Sequence, residues 1–185
     1  MCQPSCHADH TTPQPLGRRQ FLHLASLGGG AVLLGSLLPR SALAAGGTEA
    51  LLLSCMDYRL VDDTERFMAG MGLRNKYDHI VLAGAALGAV TDKFPAWNAT
   101  FWEHLQVAID LHHIRQVFIL DHRDCGAYKV ILGEDFGSKP DEETRVHAET
   151  LMRLRQQIAA KYPQLQVHSY LMALDGSVQQ IVPKL

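Results

Sequence analysis

Gln116-Val117-Phe118-Ile119-Leu120-Asp121-His122-Arg123-Asp124-Cys125-Gly126 carries an apolar run directly into a group of charged and ligand-type side chains. The apolar part is short and rich in β-branched and aromatic residues, the pattern of a strand buried on both faces. Gly126 then opens a short helix predicted over Ala127 to Leu132, followed by a loop from Gly133 to Pro140. Leu51-Leu52-Leu53, ending at Ser54-Cys55, and His79-Ile80-Val81-Leu82-Ala83, ending at Gly84, repeat the motif of an apolar strand stopped by a special residue. A fourth strand is predicted from Gln166 to Leu171, with a β-like tail from Val178 to Val182. Between the strands the apolar period becomes helical: Leu60, Val61, Phe67, Met68 and Met71; then Trp97, Phe101, Leu105, Ala108, Ile109 and His112; then a polar-faced helix from Glu142 to Tyr162, stopped by Pro163. Alternating helices and wholly apolar strands predict an α/β fold of three layers, with a mostly parallel central sheet of about four strands covered by helices on both faces. Chemistry in such sheets collects beyond the carboxyl ends of the strands. Cys55, Gly84 and His122 stand at three of those ends.

Cys55 and Cys125 are the cysteines that remain once the N-terminal segment is set aside, and two cysteines in an oxidising compartment pair by default as a disulfide. Their neighbours suggest a metal instead. Zinc takes four tetrahedral ligands of sulfur and nitrogen type, and a catalytic site leaves one position open. His122-x-x-Cys125 turns two such ligands toward one point as a strand enters a helix, and Cys55 supplies a third if the first strand lies beside the third.

Cys55-Met56-Asp57-Tyr58-Arg59 resembles the Cys-x-Asp-x-Arg motif of the β-class carbonic anhydrases, and His122-Arg123-Asp124-Cys125-Gly126 resembles their His-x-x-Cys-Gly motif. The resemblance extends over roughly residues 50 to 182. It implies one zinc ion per chain held by Cys55, His122 and Cys125, with Asp57 and Arg59 as the dyad beside the open position. The activity implied is reversible hydration of carbon dioxide to bicarbonate by a zinc-bound hydroxide. Asp57 would accept the water's hydrogen bond, and Arg59 would hold Asp57 ionised through a fork that lysine cannot reproduce. Gly84 and Gly126 would offer backbone to an anion or substrate pocket. A hydrolase of carbonyl sulfide or carbon disulfide on the same scaffold, and a non-catalytic zinc-binding protein, are the alternatives.

The chain departs from that family in three places. Val81-Leu82-Ala83-Gly84-Ala85 stands where the family usually has Arg-Asn-Ala-Gly-Asn, so the turn is kept and its polar side chains are lost, which gives an apolar rim at Leu82 and Ala85. Asp121 replaces the glycine usual before the histidine, where a carboxylate adds negative charge or orients His122 from behind. Once the segment cut after Ala44 is set aside, the N-terminal helical arm with which many relatives clasp a partner is expected to be missing.

Arg18-Arg19-Gln20-Phe21-Leu22, an apolar stretch from Leu24 to Leu38 and Ala42-Leu43-Ala44 read as a twin-arginine export signal cut after Ala44. The stretch is shorter than the roughly 20 residues a spanning helix needs, so no stable membrane anchor is expected after cleavage. Two domains result: a signal peptide, residues 1–44, and a zinc domain, residues 45–185, exported to a bacterial periplasm. The signal takes away Arg18, Arg19, Arg40 and Asp9, leaving 14 basic against 18 acidic side chains. Nothing in that balance suggests a nucleic-acid partner or an anionic membrane surface, both of which call for a basic patch. The expected partners are a small-molecule substrate and further copies of the chain, as a homodimer or higher homo-oligomer. His147 and His168 read as surface or packing histidines, with a proton shuttle as the other role for either.

Overall fold

The computed structural model describes residues 47–183; the twin-arginine motif, the apolar stretch after it and the cleavage position lie outside the described residues. Five strands form one sheet: β1 (Ala50–Ser54), β2 (Tyr77–Val81), β3 (Gln116–His122), β4 (Gln166–Met172) and β5 (Val178–Gln180), in the order β2-β1-β3-β4-β5. The first four are mutually parallel, and β5 returns antiparallel to β4. The tail expected at Val178 to Val182 is thus a fifth strand, three residues long, formed after the Asp175–Gly176 turn folds it back.

The helices follow from caps and apolar spacing. A 3-10 turn (Tyr58–Leu60) leads into α1 (Val61–Gly70), whose first turn carries Asp62 and Asp63 against the helix dipole. A short α2 (Ala86–Val90), wholly buried, was not legible as a helix because its five residues are too few to show a period. Pro95 opens α3 (Pro95–His112), which buries Phe101, Leu105 and Ala108 and ends at His113 in the left-handed region. After β3 comes α4 (Gly126–Leu132), then α5 (Pro140–Lys161) with proline at its first position and Asp141, Glu142 and Glu143 in its first turn.

The sheet separates two cores. Leu51, Leu53, Val117, Ile119 and Leu171 pack with Phe101 and Leu105 of α3 and Leu151, Leu154 and Ile158 of α5. On the opposite face Leu52, Phe118, Leu120, Tyr170 and Met172 pack with Leu60 and with Met68 of α1. The three-layer architecture is as expected, but strand two is not a buried centre strand. It lies at the sheet edge, begins two residues earlier than its apolar run implies, and leaves His79 and Val81 exposed. Leu82 has already left the strand to start the turn, its N–H donating to the Ser54 carbonyl. Among the described residues no helix is long and apolar enough to cross a membrane.

The turn after β2 is closed against α2 by backbone contact. A Cβ on Gly88 would lie 2.6 Å from the carbonyl oxygen of Ala83, whereas one on Gly126 would meet nothing within 4 Å. Gly88→Ala is therefore expected to lower stability by about 1–3 kcal/mol. Gly126→Ala should stay within about 0.5 kcal/mol of the wild type. Urea midpoints compared at constant slope check the pair; equal midpoints would show that the turn yields to the added methyl.

Candidate metal centre

Parallel pairing of β1 with β3 sets Ser54 opposite Leu120, so the two strands run out level with one another. Cys55 leaves the end of β1, His122 is the last residue of β3, and Cys125 precedes the first turn of α4. Their ligand atoms all lie within 4.8 Å of one another, in the one group of three such side chains able to hold a metal among the described residues. The sulfurs are 3.8 Å apart and both thiols are free. That distance is far beyond the roughly 2.05 Å of a disulfide. It agrees with the separation of about 3.8 Å that two sulfurs adopt when each sits about 2.3 Å from a tetrahedral zinc.

His122 completes the fit. Its Nδ1 lies 2.8 Å from the Arg123 carbonyl oxygen, so a proton there is donated to that carbonyl. Nε2 is then left as a buried lone pair with no partner, close to the two sulfurs. A nitrogen in this state is a ligand without an acceptor role elsewhere. Gly84 also contributes: its N–H donates to Cys55 Sγ at 3.3 Å. The position requires glycine, since φ is +76° and a Cβ would come within 3.1 Å of Ala127 Cβ in α4. The Cys125 thiol donates to Cys55 and draws it down to about 4, with His122 and the Gly84 N–H helping against burial. Cys125 moves up because it keeps the shared proton beside that sulfur. Burial works against a charge on His122, but its contacts with Cys55 outweigh this and raise it.

Asp57 and Arg59 meet at the mouth of this cluster. Arg59 Nε and its backbone N–H both donate to Asp57 Oδ1 at 3.0 Å, and Nη2 donates to Oδ2 at 2.8 Å. These hydrogen bonds hold the Asp57 carboxyl down at about 2, from an ordinary 3.8. The Asp57 Oδ2 atom is 3.8 Å from His122 Nε2, so the carboxylate borders the space the ligands enclose. On its other side the Arg59 guanidinium donates to Asp124 Oδ2 at 2.9 Å and to the Asp124 carbonyl at 3.0 Å. Asp124, at φ +53°, is secured in turn by Glu143, whose Oε1 accepts its N–H at 2.6 Å and whose Oε2 pairs with Arg123 at 3.1 Å.

Several expectations need correction. Asp121 makes no hydrogen bond to His122, whose Nδ1 meets the Arg123 carbonyl instead. Side chains alternate along β3, so the Asp121 carboxylate turns to the opposite face, where it binds Ala86, Tyr128 and His147. Leu82 and Ala85 form no rim; both are buried in the core. The apolar wall belongs instead to a cleft of about 310 Å³ beside Cys55 and Asp57, lined by Met56, Phe94, Trp97, Val130 and Ile131, with Ala83 and Gly126 contributing backbone-proximal surface. Phe94 and Trp97 stack there at 4.2 Å. His147 is fully buried, and His168 stacks on Phe118 in mid-sheet, so neither reaches between this site and solvent. Asp124 and Glu143 were missed. The available signal lay in α5, where the buried stripe Leu151, Leu154, Ile158 continues backwards at helical spacing onto Glu143 and His147.

The comparisons with known proteins agree with this geometry. A family model described as "Putative carbonic anhydrase" matches residues 45–182, and the chain belongs to that carbonic anhydrase family. It is 43% identical over 131 residues to an uncharacterized protein of Rickettsia bellii, covering 71% of this chain and 80% of the relative. A second uncharacterized protein, from Rickettsia conorii, is 42% identical over 131 residues, covering 71% and 70%. Among solved structures, the Coccomyxa β-carbonic anhydrase in complex with acetazolamide superposes with a TM-score of 0.50 at 14% identity, covering 91% of this chain and 84% of that one. The fold is that of the β-carbonic anhydrases, and the Cys-His-Cys cluster is compatible with a metal site.

Because the Asp57 carboxyl is depressed, its contact with Arg59 contributes stability above the ordinary carboxylate value and loses it as pH falls toward about 2. Arg59→Ala should therefore be less stable than the wild type at pH 7, with the gap narrowing steadily between pH 4 and about 2. Denaturation midpoints across that range check the sign; a gap independent of pH would assign the effect to packing.

Proposed function

We propose that the chain is an exported zinc enzyme that interconverts carbon dioxide and bicarbonate. The observation that carries the reading is a buried Cys55–His122–Cys125 cluster bordered by an Arg59-held Asp57 at the foot of an apolar cleft. Zinc bound by those three residues would supply a Lewis acid that makes water nucleophilic near neutral pH. The remaining roles fall to the chain. Asp57, kept ionised by Arg59, accepts a hydrogen bond from the attacking water and fixes its direction. Asp124 pins the far side of the guanidinium, so the carboxylate cannot swing with it. Met56, Phe94, Trp97, Val130 and Ile131 exclude bulk water and admit a small uncharged molecule.

The same wall favours a second substrate class. Carbonyl sulfide and carbon disulfide are linear and apolar like carbon dioxide, and the cleft offers nothing that distinguishes them by charge. Simple metal storage is disfavoured, because it has no use for the Asp57–Arg59 pair. Residues 1–44 act in this reading as a twin-arginine signal, leaving residues 45–185 in the periplasm. Met56 and Val130 of the cleft wall are 66% and 72% exposed, which supports covering by another copy of the chain in a homodimer or higher homo-oligomer.

Zinc-supplied protein should hold one zinc per chain and hydrate carbon dioxide in stopped flow, faster as pH rises from 7 to 9. Cys55→Ser should abolish both metal and activity. Asp57→Asn should keep the metal and lose about 10²-fold or more in rate. One zinc per chain with no hydration of carbon dioxide, but turnover of carbonyl sulfide, would transfer the assignment to the second class.

A further inference from the structure

Behind the ligands lies a polar cluster that the proposed chemistry does not use. The Asp121 side chain is fully buried and accepts three hydrogen bonds: Oδ1 from the Ala86 N–H at 3.0 Å, and Oδ2 from the Tyr128 hydroxyl at 2.5 Å and from His147 Nδ1 at 2.9 Å. The Tyr128 and His147 rings lie 3.8 Å apart, and both residues are buried. Burial, reinforced by the Asp121 charge, pushes the Tyr128 phenol well up, so it stays a donor. The carboxylate is held by three directed donors, one from each of three elements.

Each donor belongs to a different part of the metal cluster's frame. Ala86 is two residues past Gly84, whose N–H donates to Cys55 Sγ, and it starts α2. Tyr128 is on α4, one turn beyond Cys125. Asp121 itself adjoins His122 at the end of β3. His147 ties the group to α5, one turn past Glu143, which holds the Asp124 N–H. The frames of Cys55, His122 and Cys125 are thus bolted together through one carboxylate.

We infer that Asp121, with Tyr128 and His147, is a positioning residue that pre-sets the spacing of Cys55, His122 and Cys125 for the metal. The inference rests on the metal-site reading above and goes beyond it, since these three side chains would neither bind metal nor touch substrate. Hydrogen bonds are directional, so they can fix relative positions that apolar packing leaves adjustable. Groups that hydrogen-bond directly to a ligand are worth about 10–100-fold in metal affinity, which bounds from above the effect of Asp121, one step further out.

The test uses the full chain with four substitutions: Asp121→Ala, Asp121→Asn, Tyr128→Phe and, as a control, Ile158→Ala in the core of α5. Zinc affinity is read by competition with a chromophoric chelator, and ligand geometry by the visible bands of the cobalt(II)-loaded protein. Asp121→Ala should lose about tenfold or more in zinc affinity and shift the cobalt bands. Asp121→Asn, which retains a carbonyl acceptor for Ala86, should recover most of that loss. Tyr128→Phe removes one hydroxyl and carries the test should Asp121→Ala fail to fold; it should lower affinity several-fold with a band shift in the same direction. Ile158→Ala should lower thermal stability while leaving affinity and bands unchanged. Wild-type affinity and unshifted bands in the Asp121 and Tyr128 variants would overturn the positioning role while leaving the metal site standing. Equal loss of affinity in the Ile158 control would overturn it too, as a general effect of destabilisation. A wild-type chain that takes up no zinc would sink the metal-site reading and this inference together.

Discussion

The parallel register of β1 on β3 is the constraint from which the rest of the site follows. With Ser54 level with Leu120, the residues after β1 emerge beside Asp121 and His122. A slip of one residue would exchange the two faces of a strand and turn His122 away from Cys55. The register is held because both faces of both strands are buried: Leu51, Leu53, Val117 and Ile119 on one side, Leu52, Phe118 and Leu120 on the other. Each such side chain stabilises by about 1.5–3 kcal/mol when buried. A slipped sheet would also place Ser54 or Asp121 within an apolar layer, where neither would find a partner.

Negative charge accumulates at those strand ends, and two arginines and a few backbone N–H groups answer it, with Arg123 paired to Glu143. Cys55 receives a backbone N–H from Gly84, and Asp124 receives contacts from Arg59 while its own N–H goes to Glu143. Arg59 alone serves Asp57 and Asp124 together. With its side chain one-third exposed, that guanidinium adds little to overall stability. Its value lies in direction, because three N–H groups reach the two oxygens of Asp57 and leave one rotamer for the carboxylate. A lysine would supply charge without fixing that plane.

Much of the site was legible because its signals are local. Cys-x-Asp-x-Arg and His-x-x-Cys are short, and the apolar runs before them mark strand ends without knowledge of strand order. What escaped depends on that order. The run His79–Ala83 resembles a centre strand, but the strand formed is Tyr77–Val81, and its place at the edge exposes His79 and Val81. Leu82 and Ala85 looked like a pocket rim because they flank Gly84, yet the left-handed turn at Gly84 and Ala85 directs them into the core. Asp121 looked like support for its neighbour His122; alternation along β3 sends it to the other face. Glu143 and His147 were hidden in a polar helix, although their phase matches the buried stripe.

The division between apolar and polar support also has a physical reason. A metal site tolerates errors of only about 0.2 Å in ligand position. Dispersion contacts are individually shallow and broad, so the cluster of Leu87, Ile131 and Phe136 beside Cys125 can exclude water but cannot specify a distance so finely. A buried carboxylate can, provided its oxygens are satisfied, because displacing a donor weakens a buried hydrogen bond to a charged group and, at an oxygen with one donor, leaves it unpaired. Asp121 meets that condition with three donors from three elements, and His147 Nε2 is the one polar atom of the group left without a partner. The apolar layers therefore bring the strand ends level, and the polar cluster behind them removes the remaining freedom at the point where ligand geometry is decided.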